Sequence, residues 1–255
     1  MRLLLNVRRG ARRAVAATLF MSVLPVLAVA QSLPAPKELM DKHNAAAGGR
    51  AALDRHTSVH MTASMTMAAM GMQASMDVYK AKPNRFFQKV TLPQLGDILQ
   101  GYDGTVGWTM NPMTGAQLLD GALADGMKSN ADFFGSLQDD ANYSKAETVE
   151  LADFEGKSCY KVRLVRDGRE GFEYFDKATG LIAGVSGSTQ TAQGPIESTT
   201  IMREWMEVDG VKFPKVIEQR TANGTATITF SAVEFDKVDP AVFDLPAPVK
   251  ALVKP

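Results

Sequence analysis

Between residues 59 and 78 apolar and polar side chains alternate with a period of two. Val59, Met61, Ala63, Met65 and Met67 take one side, and His60, Thr62, Ser64 and Thr66 the other. After a short break Met70, Met72, Ala74, Met76 and Val78 repeat the pattern. Only an extended strand sends successive side chains to opposite faces, so the segment predicts a hairpin that turns near residues 68–71. A hairpin with one apolar face cannot stand alone. It needs further strands beside it and a core on that face.

The rest of the chain supplies both. Residues 85–92, 98–102 and 106–110 read as three more short strands, separated by Pro, Gly and Asp signals such as Lys82-Pro83-Asn84. Further strands follow at 147–151, 159–165, 172–176, 181–186, 197–208, 215–220 and 226–235. Their turns are marked by residues 153–156, Asp167-Gly168, Thr179-Gly180, Gly194-Pro195, Asp209-Gly210 and Asn223-Gly224. The last of these, set between two alternating runs, is the strongest hairpin signal.

A helical period appears in only two places. Residues 37–55 set Leu39, Met40, His43, Ala47, Ala51 and Leu53 loosely on one side. Gly48-Gly49 within them signals either a break between two helices or a close-contact point. Residues 117–137 predict two short amphipathic helices: Leu118, Leu119, Ala122, Leu123 and Met127, then Phe133, Phe134 and Leu137, with Gly126 near the break. About ten strands with helices at two places give a mainly β (α+β) class, one antiparallel sheet curled into a barrel or half-barrel. No linker and no internal repeat divides it.

Residues 1–30 have the composition of a signal peptide. Arg2, Arg8, Arg9, Arg12 and Arg13 precede an apolar run over 14–29, and Ala28-Val29-Ala30 offers small residues for cleavage before Gln31. The run is shorter than the roughly 20 residues a membrane span needs and is broken by Pro25. The expectation is therefore an exported, periplasmic protein, with residues 31–255 as a single domain. Lys and Arg number 28, as do Asp and Glu, so loss of the five leader arginines leaves an acidic excess of five. That balance argues against nucleic acid or an anionic lipid surface as the principal partner, since both demand clustered cations. The one cysteine, Cys159, allows no internal disulfide and reads as a buried strand residue. It lies too far from the signal junction to carry a lipid, so the mature form is expected without a membrane anchor.

Catalytic signals are missing. All three histidines, His43, His56 and His60, fall before residue 61, leaving no later imidazole to activate a nucleophile. No metalloprotease, nucleophile-elbow, dinucleotide or phosphate-loop motif occurs, so neither an enzyme nor a cofactor is expected. The distinctive feature is methionine: the chain has fourteen, and six lie between Met61 and Met76. Met is unbranched and polarizable, so a Met-lined wall adapts to flexible acyl chains. On that reading Met65, Met67, Met72 and Met76 contact a ligand, with Phe133 and Phe134 on the inner side of a helical lid. A second reading is a copper site. Thioethers select Cu(I), and Met65, Met67, Met70 and Met72, with His60, have suitable spacing. The plain alternative is that the methionines fill the core.

The ordered set of turn motifs resembles the LolA/LolB-like superfamily, especially outer-membrane lipoprotein-sorting proteins. The matching pieces are Ala46-Ala47-Gly48-Gly49-Arg50-Ala51-Ala52-Leu53, Lys82-Pro83-Asn84-Arg85, and Gly101-Tyr102-Asp103-Gly104 with Trp108 and Asn111-Pro112. Asp176-Lys177-Ala178-Thr179-Gly180-Leu181, Asp209-Gly210-Val211-Lys212-Phe213-Pro214 and Val238-Asp239-Pro240-Ala241-Val242-Phe243 complete them. The resemblance implies an unclosed antiparallel β-barrel with a helical lid over an apolar cavity. It implies a periplasmic carrier for lipid or lipoprotein acyl chains, working beside envelope transport partners. Without a cysteine at the signal junction, an anchored receptor of the LolB kind is excluded.

Overall fold

The computed structural model describes residues 32–166, 168–191 and 194–253; the leader expected over 1–30 lies outside them. Thirteen strands are present among the described residues. The N-terminal set is β1 (Ser58–Met67), β2 (Met72–Ala81), β3 (Arg85–Leu92), β4 (Gly96–Tyr102), β5 (Gly107–Asn111) and β6 (Gly115–Leu118). The C-terminal set is β7 (Lys145–Phe154), β8 (Lys157–Arg166), β9 (Arg169–Asp176), β10 (Ile182–Thr191), β11 (Gly194–Val208), β12 (Val211–Thr221) and β13 (Gly224–Phe235). Each set is a meander, and antiparallel pairing of β1 with β13 joins them into one sheet with β6 and β7 at its edges. The expected hairpin at 59–78 forms with Ala63 opposite Met76 and Met65 opposite Ala74.

Among the described residues four α-helices accompany the sheet: α1 (Pro36–Ala46), α2 (Gly49–Asp54), α3 (Gly121–Ala131) and the short α4 (Ala247–Lys250). The first three pack on one face. Leu39 and Met40 of α1 meet Val162, Leu164, Phe175 and Ile182. Ala52 and Leu53 of α2 meet Val59, Val211, Val233 and Phe235. Met127 and Ala131 of α3 meet Ala63, Met76, Val78, Phe86 and Tyr102. Helix α3 touches β3, β4 and β5 and also β10, which stands six strands from β3. At about 4.8 Å per strand a flat sheet would hold those strands some 29 Å apart, so the sheet curls around the helix. The fold is an unclosed barrel with its helices on the concave face.

One local expectation is corrected. The 117–137 region forms strand β6 and a single helix, not two helices. Phe133, Phe134 and Leu137 lie in the turn beyond α3, where the Asp132 Oδ1 accepts the Phe134 N–H at 2.9 Å and the Asp132 carbonyl accepts that of Gly135 at 3.2 Å. An Asx turn of this kind offers the backbone an alternative to continuing the helix. The helical segment at 37–55 forms two helices, broken at Ala47-Gly48 beside the glycine pair that signalled a break.

Gly48 is both a break and a contact point. Its φ of 106° is left-handed, and a Cβ there would overlap the carbonyl oxygen of Gly210. The Lys212 N–H donates to the Ala47 carbonyl at 3.0 Å and the Arg55 Nη2 to the Asp209 carbonyl at 2.7 Å. Two turn motifs far apart in sequence thus dock the helices against the β11–β12 turn. His43 pins the other end. Its Nδ1 accepts the Ile182 N–H and its Nε2 donates to the Ser136 carbonyl, both at 3.2 Å, which requires the neutral ring. Burial lowers its pKa in agreement.

Gly48→Ala should therefore destabilise the fold by at least about 2 kcal/mol in urea titration. Gly49→Ala, whose Cβ would meet only the Asn44 carbonyl at 3.9 Å, should cost about 1 kcal/mol for its positive φ alone. Equal losses at the two positions would show that the close approach to Gly210 is unimportant.

Candidate functional site

Strand parity and helix placement together define the site. The helices are tied toward one end of the sheet, where β10 and β12 begin: His43 reaches Ile182, and Ala47 reaches Lys212. The opposite end carries the turns 68–71, 93–95, 112–114 and 222–223. On the concave face near that end the register aligns Met202 with Ile217, Ile217 with Ile228, Ile228 with Met65, and Met65 with Ala74. All but the buried Ala74 are half-buried. Met202 leans on the α1 cluster and Ile228 on the α3 cluster, so this apolar row floors a trough between them.

One step toward the open end a second row runs Glu173, Val185, Thr200, Gln219 and Ala226, each opposite the next. Glu173, Thr200 and Gln219 bring polar groups to it, where the first row has none. The wall over β3 and β4 adds a short relay: the Gln100 Nε2 donates to the Gln88 Oε1 at 2.6 Å, and the Gln88 Nε2 to the Met76 sulfur at 2.7 Å. Three hairpin tips at the rim expose Met70, Leu95 and Met113. No charged residue occurs in 67–72, 92–96 or 111–115.

The sequence-derived candidates do not converge. Met65, Met67 and Met72 sit half-buried at the open end, with Met67 opposite Met72. Met76 is 5 % exposed and packs under α3, a core position. Phe133 is buried in the α2 cluster at the other end of the trough. Phe134 lies beside it, under the Arg50 guanidinium at 4.1 Å and the Lys82 ammonium at 5.0 Å. The two phenylalanines close the far end and are not part of a lid over the methionines. The copper set fails on parity. His60 lies on the convex face, where its Nε2 is 2.9 Å from the Asp77 Oδ1 and its ring stacks on Tyr79 at 4.2 Å. Met65 and Met67 point the other way, and Met70 is exposed on the turn. Cys159 is fully buried, which pushes its thiol up to about 11 and leaves it inert.

Sequence reasoning missed Glu173. It faces the concave side of β9, is 8 % exposed, and lines a pocket of about 330 Å³ with Tyr143, Leu164, Arg166, Val185, Ser198 and Thr200. Its Oε2 has no hydrogen-bond partner. Its Oε1 is 3.4 Å from the Tyr143 hydroxyl, whose shorter bond, 2.8 Å, goes to the Gln138 Oε1. Burial pushes the carboxyl up to about 7, against small opposing effects of Tyr143 and Arg166. The signal lay in residues 171–175, Gly-Phe-Glu-Tyr-Phe. A glutamate there shares its face with Phe175, but aromatic neighbours on the other face hid the alternation.

No protein-family model and no curated protein matches the sequence. Solved structures do match the fold. A DUF1329 family protein from Desulfovibrio piger aligns with a TM-score of 0.56 at 12% identity, over 82% of this chain and 96% of its own. A LolA superfamily protein from Nitrosomonas europaea aligns with a TM-score of 0.55 at 12% identity, over 84% and 99%. The fold is LolA-like. At this identity the likeness covers architecture: the open barrel and the helices on its concave face.

Glu173 makes the LolA-like domain's stability depend on pH. Its folded pKa of about 7 exceeds the ordinary 4.5, so its contribution is fully present below about 4.5 and is lost as pH rises through 7. Glu173→Gln should match the native chain at acid pH and exceed it by about 2–3 kcal/mol above neutrality in denaturant titrations. A difference that does not vary with pH would rule this out.

Proposed function

We propose that the protein binds and carries lipid or lipoprotein acyl chains in the open-ended trough, as an exported periplasmic protein. The observation that carries this reading is the apolar row Met202, Ile217, Ile228, Met65 and Ala74. It forms a contiguous floor on the concave face between the α1 and α3 clusters, half-buried at every position but the buried Ala74. Apolar surface of this kind gains about 25 cal/mol for each Å² that a chain covers. Two of its side chains are methionines, which adapt to chains of differing shape. The LolA-like architecture is consistent with the same use.

Loading and release need no bond made or broken. The uncharged rim at Met70, Leu95 and Met113 would let an acyl chain pass between trough and bilayer without crossing a fixed charge. No helix among the described residues is long and apolar enough to cross a membrane.

The test is displacement of an apolar naphthylamine dye by acyl compounds, with mass spectrometry of lipid co-purifying from the native envelope. Met65→Glu and Ile228→Lys should each weaken dye and acyl binding by about tenfold or more, since each places a charge on the floor. Met65 is half-buried and outside the helix clusters, so its urea midpoint should change little, whereas Ile228, against the α3 cluster, should lose some stability while still folding. Undiminished binding in both variants, or a native protein that takes up neither dye nor lipid, would sink the carrier reading.

A further inference from the structure

The pocket at Glu173 takes Val185 and Thr200 from the row beside the apolar floor, and its chemistry narrows what kind of chain the trough takes. Glu173 lies one row from the apolar floor, on the register line that runs through Val185, Thr200 and Gln219. Five strand spacings, about 24 Å around the curve, separate β9 from β1 and Met65. An extended acyl chain spans about half of the ~30 Å hydrocarbon core of a bilayer, so the floor accommodates one chain together with its head.

Inside the pocket the groups are unevenly matched. Leu164 and Val185 supply apolar wall, and Ser198 and Thr200 bring hydroxyls. Glu173, more than nine-tenths buried, lines this space, and its Oε2 is itself shielded from solvent and has no hydrogen-bond partner. An unpaired buried polar atom costs the fold free energy unless something else satisfies it. At the mouth stand Arg166 and Arg169, with Glu170 held by Arg163 at 3.3 Å. Arg166 also donates to the Asn142 carbonyl and lies over the Tyr143 ring. A cationic head would have to pass two arginines, whereas a carbonyl or carboxylate would be drawn in by them.

We propose that this pocket receives the carbonyl-bearing head of an acyl chain, with the Glu173 side chain turning toward it so that the carboxyl donates an O–H to the carbonyl or carboxylate oxygen. The chain then lies along Met202, Ile217, Ile228 and Met65. This rests on the carrier reading and adds the head-group class. Only the protonated carboxyl can donate, so the bond is lost when Glu173 ionises. The other titratable or charged groups on the elements around it are Tyr143 before β7, Arg166 on β8, and Arg169 and Glu170 at the start of β9. From β10 and β11 the neighbours are Val185, Ser198 and Thr200, none of which titrates.

The experiment compares methyl dodecanoate, dodecanoate and dodecylammonium as competitors of the naphthylamine dye, at about pH 6 and about pH 8.5, either side of the Glu173 titration. The methyl ester has no titratable group, so any pH dependence of its binding belongs to the protein. In the native chain it should bind roughly tenfold more weakly at the higher pH. In Glu173→Gln, which keeps a donor without titrating, it should bind within about threefold of the native acid value at both pH values. In Glu173→Leu it should be weak at both. The ammonium chain should be the poorest competitor throughout, and the ester and free acid, ranked against each other, identify the source of the carbonyl.

Ester affinity flat with pH in the native chain, undiminished affinity in Glu173→Leu, or preference for the ammonium would overturn the head-group assignment while dye binding leaves the trough intact. Loss of dye binding in the native chain would instead strike the carrier reading, and this proposal with it.

Discussion

Everything in this structure depends on the ladder between β1 and β13. Each half of the chain is a simple meander with edges of its own; the first and last strands join them, with Val59 opposite Phe235 and Thr66 opposite Thr227. The joint is clamped at one end by Asp236. Its Oδ1 accepts the Thr57 N–H at 2.7 Å and the Thr57 hydroxyl at 2.9 Å, and its Oδ2 pairs with the His56 Nδ1 at 2.8 Å. These bonds hold its carboxyl far below the usual carboxylate range. His56 in turn stacks on Phe235, centroids 3.8 Å apart, so the last strand is gripped by backbone, charge and ring together. Without this ladder there would be two open sheets and no common concave face.

Once the sheet is continuous, α3 decides its curvature and the other helices decide which part of the concavity stays open. Met127 and Ala131 draw one wall onto α3, Leu39 and Met40 draw the other onto α1, and Gly48 lets the helices sit tight against the β11–β12 turn. The apolar surface near that turn is thereby filled. The strands run past it: Met202 and Ile228 lie at the margins of the α1 and α3 clusters, and Met65 and Ile217 belong to neither. The trough is thus a consequence of strands that outrun the helices packed against them.

Much of this was legible in the sequence because period-two alternation survives wherever one face is core and the other is solvent. Residues 59–78 are the clearest case, and the Asp209-Gly210 and Gly48-Gly49 turns were correctly singled out, though not as partners. Strand β6 was lost because Leu118 and Leu119 sit next to each other, which imitates a helix stripe, while the true helix begins only after Asp120. Phe133 and Phe134 were misplaced because the Asx turn at Asp132 breaks the helix where composition alone would extend it. The methionines on the two strands were read to the correct face, and Met70 was not, since it lies exposed in the turn. Their depth was not legible, since Met76 under α3 and Met67 at the rim differ only in what a distant helix covers. Glu173 was invisible because aromatic residues flank it on both faces of β9, so no alternation marked which face was apolar.

That last residue shows how the fold and the trough are at odds. A buried carboxyl raised to about 7 is a standing cost to the domain, and its surroundings offset little of it. Tyr143 spends its shorter bond on Gln138, and Arg166 is engaged with the Asn142 carbonyl and the Tyr143 ring. A leucine at this position would suit the packing of Leu164 and Val185 better. The folded chain alone therefore supplies no physical reason for a carboxyl here. A reason appears only when a second molecule is counted: a chain whose head accepts a hydrogen bond from this carboxyl lowers the cost, while its tail covers the floor between the helix clusters. The polar row and the apolar row are then two halves of one amphipathic surface, and each accounts for the exposure of the other.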